Sequence, residues 1–96
     1  MRQVEFHPEA IEEASAAYSW YLEQSPAAGT AFLADLDRAI DDIGESPERF
    51  PIHEGDIRRC LLRRFPYYLA FRTEAEHSLV LAVAHGRRRP GYWKGR

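Results

Sequence analysis

The run Leu79-Val80-Leu81-Ala82-Val83-Ala84 contains no polar residue. It is far too short to cross a membrane as a helix, which takes about 20 apolar residues. It also lacks the alternation of a half-exposed strand. An unbroken apolar run of this length is the pattern of a strand buried on both faces. The fold is therefore a sheet with Leu79–Ala84 as a central strand, and the other segments are read around it.

Gln3-Val4-Glu5-Phe6 alternates and predicts a short strand. His7-Pro8-Glu9 starts a helix, with Pro8 suited to its first position and Glu9 to the positive end of its dipole. The apolar face of that helix is Ile11, Ala14, Tyr18, Tyr21 and Leu22. Ser25-Pro26 starts a second helix, with Ser25 as N-cap. Its face is Phe32, Leu33, Leu36, Ala39, Ile40 and Ile43, and Gly44 and Pro47 end it. So short a connection predicts an antiparallel hairpin. Pro47–Asp56 reads as a loop. Ile57–Arg64 reads as a strand, with Cys60 and Leu62 on one side and Leu61 and Arg63 on the other. Phe65-Pro66 breaks it, Tyr67–Thr73 is the next strand, and Glu74–His77 is a turn. The tail, residues 86–96, is irregular and basic. The expectation is an α+β fold ordered β-α-α-β-β-β, its helical hairpin packed on one face of a mostly antiparallel sheet. At 96 residues this is one domain, residues 1–96, which buries roughly 65% of the unfolded surface without staples.

Composition rules out a disordered chain, since 12% of residues are aromatic. No signal peptide is legible, and the single cysteine, Cys60, suits the cytoplasm. The net charge of −2 hides a division. Residues 1–56 carry 3 Arg against 13 Asp and Glu, whereas residues 57–96 carry 9 Arg and 1 Lys against 2 Glu. A basic half that is almost wholly arginine suits planar, bidentate recognition of phosphate. Pairing of the two halves across the fold is the plainer alternative.

The densest chemistry follows the apolar strand, in His85-Gly86-Arg87-Arg88-Arg89-Pro90-Gly91-Tyr92-Trp93. Arg87, Arg88 and Arg89 can clamp phosphates, His85 can move a proton, and Tyr92 can donate a hydrogen bond or act as a weaker acid. Trp93 can stack on a base or dock on the core. Arg58, Arg59, Arg63, Arg64 and Arg72 form a second basic set on neighbouring strands. His7, His53 and His77 lack ligand spacing, so no metal or other cofactor is expected. Cys60 reads as core. Asp35, Asp37, Asp41 and Asp42 read as a solvent-facing row, while Glu9, Glu12 and Glu13 could offer a carboxylate near the groove.

These segments resemble the RelE/ParE superfamily, the toxin halves of type II toxin–antitoxin pairs, also called plasmid stabilisation proteins. The resemblance rests on the element order, on Arg63-Arg64-Phe65-Pro66-Tyr67-Tyr68-Leu69-Ala70-Phe71, and on Ala82-Val83-Ala84-His85-Gly86-Arg87-Arg88-Arg89-Pro90-Gly91-Tyr92-Trp93. Phe6-His7-Pro8-Glu9-Ala10 and Ser46-Pro47-Glu48-Arg49-Phe50-Pro51 extend it over nearly the whole chain.

The resemblance implies one of two activities. RelE-like members cut mRNA on the ribosome without a metal, whereas ParE-like members poison DNA gyrase and are not nucleases. For the first, the matching catalytic positions are Arg63, Arg64, His85, Arg87, Arg88 and Tyr92, with Arg59, Arg89, Trp93 and Lys94 on the RNA. Arginines would stabilise phosphoryl charge and His85 or Tyr92 would handle protons. The strand lysines of RelE-like nucleases are missing, since Lys94 is the only lysine. The long helical hairpin is ParE-like. Either activity implies a cognate antitoxin whose acidic segment folds on the basic side of the sheet, and neither involves a membrane. The mRNA reading is put first and the gyrase reading second.

Overall fold

The computed structural model describes residues 2–96. β1 (Gln3–Phe6) leads into α1 (Pro8–Gln24) and α2 (Pro26–Glu45), followed by a 3-10 turn at Pro47–Arg49. Then come β2 (Ile52–Glu54), β3 (Ile57–Leu61), β4 (Tyr67–Thr73) and β5 (His77–His85). The helix starts lie where the sequence puts them. His7 Nδ1 accepts the Glu9 N–H at 3.1 Å, and Ser25 Oγ accepts the Ala28 N–H at 3.0 Å. Ser25 also donates its own N–H to the Tyr21 carbonyl at 3.1 Å, so one residue closes α1 and caps α2. The hairpin is correspondingly tight. A Cβ at Gly29 would lie 3.1 Å from the Leu22 side chain, closer than ordinary packing allows.

The sheet runs β1-β5-β4-β3-β2. β1 is parallel to β5, pairing Gln3 with His77 through Phe6 with Val80, and the other pairs are antiparallel. The apolar run is thus the interior strand expected of it. A bulge interrupts it. Ala70 faces Ala82 and Phe71 faces Val80, leaving Leu81 as the extra residue. Leu81 and Ala82 consequently join the same face. On the helix side, Leu69, Phe71, Val80 and Val83 pack with Phe32, Leu36 and Ile43. On the other face, Tyr68, Ala70, Leu81, Ala82 and Ala84 surround Trp93.

Several expectations need correction. The Pro47–Asp56 stretch is not all loop: it holds the 3-10 turn and β2, which turns into β3 through Gly55 at φ +58°. α2 runs past Gly44 to Glu45, and β5 already begins at His77. β3 stops at Leu61, so Arg63 and Arg64 lie on the β3–β4 turn and not on a strand. Ile11, Leu22 and Leu33 are exposed, because the buried stripe of α1 runs through Ala10 and Ala17 and that of α2 through Phe32, Leu36, Ala39 and Ile43. Asp35 is not solvent-facing. It falls three residues after Phe32 and four before Ala39, on the buried stripe, and is 5% exposed.

Candidate functional site

β1 ends its pairing at Val80, which leaves the last part of β5 as an open edge. The bulge turns the Leu81 carbonyl and the Val83 N–H toward that edge. Side chains satisfy them. Glu13 of α1 accepts the Val83 N–H at 3.0 Å through Oε1, and Arg96 donates to the Leu81 carbonyl at 3.0 Å. Arg96 also donates to both Glu13 oxygens, at 3.0 and 3.1 Å. Tyr92 Oη donates to Glu13 Oε2 at 2.7 Å. One carboxylate therefore fixes the sheet edge and the tail together.

The tail between these contacts is a set of turns. Trp93 is fully buried on the sheet, its Nε1 donating to Tyr68 Oη at 3.3 Å. Lys94 pairs with Glu54 of β2. Gly91 takes φ +83° to make the turn, beside the Lys94 stem. The guanidinium of Arg88 lies 3.7 Å from the centre of the Tyr92 ring, a cation–π contact.

The electrostatics follow from this geometry. Burial pushes the Tyr92 hydroxyl well above the ordinary tyrosine range, and its bond to the Glu13 carboxylate and the charge of that carboxylate push it further. Burial alone would raise the Asp35 carboxyl, but donors outweigh it and hold it below its usual range. Those donors are the backbone N–H groups of Arg64 at 2.7 Å and Arg63 at 3.1 Å, with the Arg38 side chain at 3.0 Å. Burial raises the Cys60 thiol, which makes it inert core as expected.

The candidate residues converge only in part: His85 and Arg88 line one groove with Glu13, to which Tyr92 is hydrogen-bonded, whereas Arg63, Arg64 and Arg59 are held elsewhere. Tyr92 and Arg88 stand at Glu13, on the β5 edge. His85 lies at the end of β5, its ring edge-on to Tyr67 and its Nδ1 accepting the Arg87 N–H at 3.0 Å. Arg63 and Arg64 are anchored to α2 through Asp35. Arg59 lies on the far face of the sheet, its guanidinium 5.3 Å from the centre of the Tyr68 ring. Arg87 and Arg89 are exposed. Trp93 is removed from the base-stacking role, because a ring with no exposed surface has no face to offer a base. The Tyr92 hydroxyl is not free, since it keeps its proton and donates it in a hydrogen bond to Glu13. Among the described residues, no cluster of three or more His, Cys, Asp or Glu side chains could hold a metal.

Two participants escaped the sequence reading. Arg96 carries no local signal for its inward turn. Trp20, 56% exposed, lines a groove of about 320 Å³ with Ala16, Tyr67, Val83, His85 and Arg88. Its signal was present: a large aromatic off the apolar stripe of an amphipathic helix.

The geometry can be set beside known proteins. The family model described as "ParE toxin of type II toxin-antitoxin system, parDE" matches residues 4–90. The protein named Toxin ParE2 from Mycobacterium tuberculosis, in both strain CDC 1551 / Oshkosh and strain ATCC 25618 / H37Rv, is 29% identical over 90 residues. The match spans 93% of this chain and 86% of that protein. A solved structure titled "Chromosomal ParDE TA system from P. aeruginosa" superposes with a TM-score of 0.76 at 17% identity. It covers 88% of this chain and 96% of its own, which shows that the fold is shared. With the match running from β1 through the arginine-rich turn after β5, the chain belongs to the ParE toxin family of type II toxin–antitoxin systems.

Proposed function

We propose that this toxin arrests growth by binding DNA gyrase without turning over a substrate, and that a cognate antitoxin neutralises it in the cytoplasm. The gyrase target follows the resemblance to ParE-like members. The observation that carries it against mRNA cleavage is the dispersal of the would-be nuclease side chains. His85, Arg88 and Tyr92 gather around Glu13, but Arg63 and Arg64 are tethered through Asp35 and Trp93 is buried on the sheet. Phosphodiester cleavage needs a base, an acid and a charge clamp around one phosphate. Arginine cannot be that base near neutral pH. With Tyr92 and Arg88 already engaged by Glu13, and Arg63 and Arg64 held on α2, the set lacks a free charge clamp, and the arginines act as a contact surface.

For the antitoxin, the groove beside Trp20 offers an apolar anchor point, and the end of β5 offers an edge that no other strand covers. The test uses purified chain with gyrase and supercoiled plasmid, in parallel with primer extension on a translated message. Linear DNA from trapped cleavage complexes with an intact message is expected. New 5′ ends that depend on translation, with no linear DNA, would overturn the proposal and restore the nuclease reading.

A further inference from the structure

The β3–β4 turn and the start of the tail meet at one end of the sheet. Gly86 donates its N–H to the Pro66 carbonyl at 2.7 Å, which clasps the two loops. Each loop is held by its backbone while its arginine side chains stand free. Arg63 and Arg64 give their N–H groups to Asp35, at 3.1 and 2.7 Å. Arg87 gives its N–H to His85 Nδ1, and Arg88 to the His85 carbonyl, both at 3.0 Å. The side chains of Arg64, Arg87 and Arg89 have no carboxylate within ion-pair distance among the described residues. Arg63 is 69% exposed and only 3.9 Å from Asp42, a contact water screens. Arg88 is already engaged by Tyr92 and Glu13. Four arginines therefore project from this end, three of them without a carboxylate partner among the described residues and Arg63 with only the screened contact to Asp42.

We infer that this end of the molecule, carrying Arg63, Arg64, Arg87 and Arg89, is a seat for the phosphodiester backbone of double-stranded DNA. The inference deepens the gyrase reading and rests on it for its setting: a toxin on gyrase stands beside gyrase's DNA. Three features suit the surface to phosphate, and the third bears against an acidic protein. Guanidinium groups bind phosphate oxygens bidentately. Pinned loops lose less freedom on binding than mobile ones. The surface is also poor in apolar anchors: Leu62 is buried and Phe65 half-buried, which leaves the small side chains of Ala31 and Ala34 beside Arg63 and Arg64, and Leu61 at the end of β3. Protein interfaces are centred on buried aromatic or aliphatic anchors, whereas backbone recognition of a duplex needs none. The chain's exposed aromatic anchor, Trp20, lines a different surface, the groove on α1.

The test is fluorescence anisotropy of a labelled mixed-sequence duplex with the full chain and no gyrase, across a salt series. Four phosphate contacts give a slope of log affinity on log salt of about −3.6. Affinity then falls about 10²-fold between 50 and 200 mM salt. Arg64→Ala with Arg89→Ala is expected to flatten the slope by about 2 and weaken binding about tenfold or more. Arg72→Ala, whose guanidinium pairs with Glu74, is expected to change neither. Absence of duplex binding at the lowest salt would overturn the inference. So would an Arg64/Arg89 double variant that binds like the parent, or a polyglutamate peptide that outcompetes the duplex. The last result would make the surface a seat for an acidic protein segment. The same variants in the plasmid assay separate the two proposals. Duplex binding without trapped cleavage complexes sinks the gyrase target and keeps the surface, and trapped complexes without duplex binding do the reverse.

Discussion

Replacing Glu13 by alanine tests the account of the tail. The carboxylate is 15% exposed and its partner Arg96 is 12% exposed, so both charges are largely out of water. Removing one member of such a pair costs about 3–5 kcal/mol, because the other charge is left buried. The Val83 N–H also loses its acceptor, which by itself costs about 1–3 kcal/mol. These costs share one group and do not add. Water reaching the vacated edge offsets part of them. The expected loss is about 3 kcal/mol, a drop in the urea midpoint of about 1–2 M. Glu13→Gln keeps an acceptor for Val83 and removes the charge, so it is expected to cost about half as much. The assay is urea unfolding followed by circular dichroism, with the slope m compared between variants. A loss below about 1 kcal/mol for Glu13→Ala, the range of exposed ion pairs, would refute the reasoning.

Asp35 gives a second test, in acid. Its carboxyl is held below its unfolded value, so its contribution is complete above the ordinary carboxylate pKa and disappears as pH falls through the folded one. Asp35→Asn is expected to lose about 2–3 kcal/mol at neutral pH and to show a flatter stability profile below about pH 4. Equal acid sensitivity in variant and parent would count against the bonds to Arg63 and Arg64. Tyr92 behaves oppositely. Its folded pKa is raised, so its contribution is full below the unfolded tyrosine value and falls away at higher pH. Tyr92→Phe is expected to soften the alkaline loss that sets in above about pH 10, without abolishing it, since burial also raises Tyr21 and Tyr67. An unchanged alkaline profile would refute the role of the Glu13 bond. Trp93→Ala is expected to cost about 3–5 kcal/mol. In a Trp20→Phe variant the remaining emission should be blue-shifted and protected from acrylamide, and free quenching would show that the tail is undocked.

The sequence carried the fold through signals with local causes. Ser25-Pro26 and His7-Pro8 are caps whose chemistry is complete within a few residues, and the structure places both helix starts on them. Leu79–Ala84 has the pattern of a strand buried on both faces, and in β5 it packs against the helices on one face and around Trp93 on the other. β2 was missed because it is three residues long and its pairing depends on β3. The candidate site was legible as a list of arginines but not as an arrangement. Nothing local says that Arg63 and Arg64 leave the strand, because the cause is Asp35, some 28 residues earlier. The alternation of β3 suggested a longer strand than the Asp35 contacts allow. Glu13 was singled out as a carboxylate near the groove, yet its hub role needs Arg96 and the Leu81 bulge, which only the assembled sheet supplies. For Trp93 the residue pattern favours docking on the core while the nuclease resemblance implies a place on the RNA, and its burial agrees with the first.

The parallel pairing of β1 with β5 also governs how the molecule is made. Gln3 meets His77, so β1 has no neighbour in the sheet until β5 has been synthesised. Pairings this distant in sequence close slowly, and until they close the apolar faces of both helices stay wet. The opposite face of the sheet waits longer still, since its cover is Trp93. A nascent chain thus passes through an interval in which the helical hairpin and the β2-β3-β4 strands lack the strand that joins β1 to them, open to proteases and chaperones. Translational pausing before β5 should lengthen that interval, making the tempo of synthesis a control on how much toxin matures.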